Sequence, residues 1–181
     1  MNIMDNEAII DHLICEGITV SCMESCTGGM LASAITDRSG ASDIFAGSFV
    51  TYSNDAKIRQ GVPSDIIEKH GVYSAETAQA MAKAASDAFE TRIGIGITGS
   101  LGRKDPNNPD SVNGQVYFSI FLRGGGDTRE QFRTGLLLVP DMITERREMK
   151  QYVIDEVLRH LDELLTEQKP RQQAAVFSTE P

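Results

Sequence analysis

Three stretches of the sequence combine residue types that could do chemistry. In "GASDIFAGSFVTYSNDAK" (40–57), Ser42 precedes an apolar run, Tyr52 ends it and Lys57 follows. In such sets lysine can serve as base or proton store, and tyrosine can relay a proton to serine. Lys57 falls near the start of a short helix, whose positive end favours the uncharged amine. A surface lysine beside a strand-end tyrosine is the other reading. In "ESCTGG" (24–29), the N–H groups of Thr27, Gly28 and Gly29 stand at a helix start, where an anion would find donors. Cys26 there could have a lowered pKa and serve as nucleophile, or be a small packed thiol. In "ITGS" (97–100), Thr98 and Gly99 end an apolar strand and could offer a hydroxyl and backbone donors to a ligand, or simply form a turn.

These residues need elements to hold them. Ile9, Ile10, Leu13 and Ile14 share one helical face over 5–16, stopped by Gly17. "ITVSCM" (18–23) reads as a central strand and "TGGMLASAIT" (27–36) as a helix. A strand over 44–52 follows, then a short helix capped by Ser53 or Asn54. The next short helix spans 62–71, with Ser64 as N-cap and Gly71 as its stop. A longer helix runs from Ser74 to about Phe89, and "RIGIGITG" (92–99) is an interior strand. The loop 100–114 is long for a compact domain and is a candidate functional loop. Strands over 115–122 and 128–138 form a hairpin, and a last helix spans 141–165. The expected architecture is a three-layer α/β/α sandwich with a mixed, mostly parallel sheet of about five strands. One domain covers 1–168, and 169–181 reads as a mobile tail.

Composition narrows the function classes. The chain has 181 residues and a formal charge of −9. That charge gives no general attraction to a nucleic-acid backbone. No apolar run is long enough to span a bilayer. The acidic start "MNIMDNEAII" is unlike a signal peptide, so a cytoplasmic protein is expected. Cys15, Cys22 and Cys26 make neither a disulfide framework nor a zinc signature. His12, His70 and His160 are too scattered to suggest metal ligands and read as polar helix positions.

Taken in order, the blocks resemble the CinA C-terminal domain family, the nicotinamide mononucleotide deamidases. The matching stretches are "ESCTGG", residues 40–57, "GVYSAETAQAMA" (71–82), the Thr98-to-Gly102 segment and "NGQVYFSI" (113–120). The resemblance covers roughly residues 5–165. It implies hydrolysis of the carboxamide of nicotinamide mononucleotide, with release of ammonia and no metal or redox cofactor. Ser42 would be the nucleophile, Lys57 its base and Tyr52 the relay. Ser25, Cys26, Thr27, Gly28, Gly29, Thr98 and Gly99 would line the substrate pocket. The family's arginine before the last helix would be Arg146, with Arg133 as rival. The implied partner is a pyridine mononucleotide, with no nucleic acid or membrane, in a homo-oligomer. The chain departs from the family at "SLGRKDPNNPDSVNG" (100–114), where a glycine-rich segment is usual and where Arg103 and Lys104 stand. That change motivates an alternative: a non-catalytic nucleotide- or partner-binding domain of the same family. A hydrolase using Cys26 is a third reading.

Overall fold

Two glycines in "IGIGITG" set how closely the molecule can pack. A Cβ at Gly94 would lie 2.0 Å from the carbonyl oxygen of Ala82, and one at Gly96 2.2 Å from that of Ala78. Those carbonyls belong to the helix Ala75–Phe89, so the helix backbone rests directly on the strand where side chains would normally intervene. The isoleucines between the glycines, Ile93, Ile95 and Ile97, point to the opposite face and enter the main core.

The computed structural model describes residues 6–102, 105–109, 111–125 and 129–168. The elements in order are α1 (Asn6–Glu16), β1 (Val20–Glu24), α2 (Met30–Thr36), a 3-10 turn (Ala41–Asp43), β2 (Phe45–Val50), α3 (Asn54–Arg59), α4 (Ser64–His70) and α5 (Ala75–Phe89). They continue with β3 (Ile93–Gly99), β4 (Gln115–Leu122), β5 (Gln131–Leu138) and α6 (Arg146–Gln168). The five strands form one sheet in the order β2-β1-β3-β4-β5. The β1–β2 and β1–β3 pairings are parallel and the other two antiparallel. Only β4 therefore runs against the rest. Helices α1, α2 and α6 pack with Ile95, Ile97 and Phe118 on one face. The other face holds a smaller cluster of Met23, Val62, Met81 and Ala85 beneath α5. This is the expected three-layer α/β sandwich.

Several boundaries differ from expectation for local reasons. Helix α2 begins at Met30 because Gly28 and Gly29 are left-handed, with φ of 64° and 93°. Ser53 caps α3 by accepting the N–H of Ala56, and Ser74 caps α5 by accepting that of Thr77. Ser64 is instead the first residue of α4, and Pro63, with its φ of −61°, occupies the cap without a side-chain bond. The last helix starts at Arg146, after a turn at Asp141 and Met142. The tail 169–181 lies outside the described residues, as does the first residue of the expected second hairpin strand.

Candidate functional site

The turn after β1 is organised by a carboxylate from within. Glu24 is fully buried at the end of the strand. Its Oε2 accepts the Thr27 hydroxyl at 2.6 Å and the N–H groups of Gly29 and Leu31, each at 3.1 Å; its Oε1 accepts the Ala32 N–H at 2.9 Å. The first turn of α2 already has its anion, supplied by the chain itself. The Gly28 N–H is likewise engaged, by the Ser25 carbonyl at 3.1 Å. The expected anion cradle is therefore corrected at Gly28 and Gly29: their N–H groups, and the Thr27 hydroxyl, are spent inside the turn. Lys150 of α6 lies over the same turn, its Nζ 3.2 Å from where a Cβ on Gly28 would sit.

With that turn clamped, Ser25 is held at the carboxyl end of β1, its N–H bonded to the Ile97 carbonyl of β3 at 3.1 Å. Connections leave β1 toward β2 and return from β2 to β3, so the β1/β3 end is a switch point where a crevice opens. Lys57 reaches this point from α3. Its Nζ lies 3.1 Å from Ser25 Oγ and donates to the Thr51 carbonyl at 2.8 Å. The side chain is 1% exposed, and among the described residues no carboxylate forms an ion pair with it. Burial pulls its pKa from 10.5 down to about 8, while Cys26 and Asp105 pull weakly the other way. A lysine about one unit above neutrality is uncharged in about one molecule in ten at pH 7. A buried hydroxyl and a partly neutral amine in contact constitute a nucleophile–base pair.

Ser42 does not belong to this pair. It lies in the 3-10 turn before β2, exposed, at the Val20 end of the β1–β2 ladder. Lys57 lies beyond the other end, and six strand residues at about 3.3 Å each separate the two by roughly 20 Å. The expected Ser42–Lys57 contact is thus absent, because a strand intervenes that the linear spacing hides. Tyr52 is 65% exposed, and its hydroxyl accepts a hydrogen bond from Arg146 Nη2 at 2.8 Å. Its partner is thus Arg146, and the expected link to the lysine is not made.

A cavity of about 500 Å³ opens over Ser25 and is lined also by Cys26, Tyr52, Gly99 and Arg146. A second lobe of about 350 Å³ adjoins it along Ser25, Tyr52 and Lys57. Tyr73, Asp105 and Asn107 border both. Of the sequence-stretch candidates, Thr98 is fully buried and donates to the Val72 carbonyl at 2.9 Å, so it supports the wall from behind. Arg133 is bound to Glu163 and Glu167 of α6, away from the cavity. Arg146, the first residue of α6, lies on the cavity wall; Arg103 and Lys104 lie outside the described residues. Burial pushes the Cys26 thiol up to about 12, the reverse of an activated nucleophile, although it lines the cavity. Sequence reasoning did not find the Ser25–Lys57 contact, nor Tyr73, Asp105 and Asn107 as site residues. The unusual length of the 100–114 loop was the one signal for the last two.

Among the described residues no three histidine, cysteine or acidic side chains are grouped so as to hold a metal ion, and no helix is long and apolar enough to cross a membrane. The family model for the CinA C-terminal domain matches residues 4–165. A competence-damage inducible protein of Clostridium kluyveri is 40% identical over 138 residues, covering 76% of this chain and 33% of that protein. A CinA-like protein of Dictyoglomus thermophilum is 38% identical over 119 residues, 65% of this chain and 29% of its own length. The chain thus spans about a third of these curated relatives. Among solved structures, a competence/damage inducible protein from Agrobacterium tumefaciens superposes with a TM-score of 0.75 at 28% identity, covering 88% of this chain and 93% of that one. One from Klebsiella pneumoniae gives a TM-score of 0.80 at 23% identity over 93% of this chain and 100% of that one, a likeness of fold.

Proposed function

Because the chain belongs to the CinA C-terminal domain family, we propose that it is an amidohydrolase that converts the carboxamide of a pyridine mononucleotide, nicotinamide mononucleotide, to the acid with release of ammonia. The observation that carries this reading is the contact between Ser25 Oγ and a buried lysine amine at 3.1 Å, where both residues line the second lobe of the cavity. Neutral Lys57 takes the Ser25 proton as Oγ attacks the carboxamide carbon. The resulting ammonium returns that proton to the leaving nitrogen, and ammonia departs from an acyl-serine. Water, deprotonated by the same amine, then attacks the ester, and the proton returns to Ser25 as the acid leaves. No step needs a metal or redox cofactor. Arg146, tied to Tyr52 across the cavity, is the guanidinium suited to a substrate phosphate. Cytoplasmic residence and a homo-oligomeric state belong to the same proposal.

The test is ammonia release from nicotinamide mononucleotide by the purified chain. Ser25→Ala should lower the rate by about a thousandfold or more, as removal of a nucleophile does. Ser42→Ala, at an exposed position, should stay within about twofold of the wild type. Loss of activity in Ser42→Ala with retention in Ser25→Ala would overturn the assignment. Tight binding of the mononucleotide without ammonia release would identify a non-catalytic binding domain.

A further inference from the structure

The cavity carries opposite charges on two walls, and the acidic wall has no role in the mechanism above. Asp105 stands in the long loop after β3 and borders both lobes alongside Ser25. Its carboxylate is held from two directions. Oδ2 accepts the Tyr73 hydroxyl and the Asn108 side-chain amide, each at 2.7 Å, and Oδ1 accepts the Asn107 N–H at 2.9 Å. The backbone is fixed as well, with the Asp105 N–H donating to Ser111 Oγ at 2.8 Å. Tyr73 arrives from the segment between α4 and α5, so the loop is pinned to an element of the sandwich and not only to itself. These donors are neutral groups, and they hold the carboxylate below its usual range, chiefly through Asn108 and Tyr73. The negative charge is therefore retained beside Ser25, and among the described residues no cation is bonded to it. Lys57, which feels the Asp105 charge, is bonded to Ser25 and Thr51 instead. Arg146, on the other wall, is bonded to Tyr52.

We propose that Asp105 is a specificity-determining residue that makes this site select carboxamides borne on a positively charged ring. This rests on the hydrolase reading of the same cavity. A substrate with an anionic group for Arg146 and a cationic ring beside the scissile amide matches the two walls at once. A neutral ring of the same shape leaves the carboxylate without its counter-charge when water is displaced. The carboxylate acts on the ring charge and does not enter the bond-making steps.

The test compares the oxidised, cationic nicotinamide mononucleotide with its reduced, neutral dihydropyridine form. Both keep the ribose hydroxyls, the phosphate and the carboxamide. Dissociation constants by calorimetry and ammonia release are measured for the wild type, Asp105→Asn and Tyr73→Phe. The wild type should bind the cationic form about tenfold more tightly, equivalent to about 1.4 kcal/mol. Asp105→Asn should bring the two affinities within about twofold, mainly by weakening the cationic form. Tyr73→Phe keeps the charge while removing one of its supports, and should retain most of the preference. Equal weakening of both ligands in Asp105→Asn would mean that the residue serves the ribose hydroxyls or the loop, and would overturn the inference. A wild type that prefers the cation but releases no ammonia would leave the inference standing and remove the hydrolase reading. Ammonia release with an unchanged preference in Asp105→Asn would do the reverse, and failure to bind either form would remove both.

Discussion

Replacing Lys57 by methionine should abolish activity and change how stability responds to pH. The ammonium is 1% exposed and its pKa is pulled to about 8 from 10.5 by burial. Between those values the unfolded chain binds more protons than the folded one, so stability rises with pH across that window. Below about pH 8 both states carry the proton, and the native state bears the whole cost of burying the charge, about 3 kcal/mol at roughly 1.4 kcal/mol per unit. At pH 10 most of that cost has gone. Methionine has nearly the same volume and no charge, so Lys57→Met lacks this dependence. The unfolding free energy of the wild type relative to Lys57→Met should therefore rise by about 2–3 kcal/mol between pH 7 and pH 10. Groups common to both proteins cancel in the difference. The assay is urea unfolding of both proteins at unit pH intervals, with midpoints and slopes compared. In parallel, kcat/KM of the wild type should rise about tenfold per unit up to an inflection near pH 8 and then level, because the base must be neutral. A difference that stays constant within about 0.5 kcal/mol over the range would refute the buried-charge argument. An activity profile already flat at pH 6 would remove Lys57 as the base.

Other expectations concern the parts that hold the pair in place. Glu24→Ala strips the Thr27 hydroxyl and three backbone N–H groups, at Gly29, Leu31 and Ala32, of their acceptor. It should cost about 3–5 kcal/mol in denaturant unfolding, and a cost under about 1 kcal/mol would show that water replaces the carboxylate. Gly96→Ala puts a methyl 2.2 Å from the Ala78 carbonyl oxygen and 2.6 Å from the Ala82 nitrogen. The helix must move away, so a loss of about 3 kcal/mol or more is expected in a thermal melt, whereas an unchanged melting temperature would contradict direct helix–strand contact.

Much of the scaffold was legible along the chain because its signals are local. The glycine at 17, a cap at Ser53 or Asn54, the helix start at Ser74 and the alternation of 92–99 each act within a few residues. Periodicity and capping depend on near neighbours, and so they survive without knowledge of the rest of the fold. The residues around Lys57 were likewise recognisable as a block that belongs with "ESCTGG".

The partners within the site were decided elsewhere. Ser42 and Lys57 share one segment, yet β2 carries them to opposite ends of the sheet. Ser25 and Lys57 are 32 residues apart and come within 3.1 Å because β1 and β2 lie side by side and parallel. The same distinction applies to "ESCTGG". Its glycines announce a turn at a helix start, but the buried Glu24 carboxylate that fills that start is apparent only when the chain has closed around it. Asp105 and Tyr73 meet across two loops for the same reason. Sequence by itself determined which elements form and which residue types were available for chemistry, since backbone preference and hydrophobic periodicity are short-range. The tertiary structure alone decided which hydroxyl the lysine touches and how far burial lowers its pKa, since contact and desolvation depend on strands and loops brought together from distant parts of the chain.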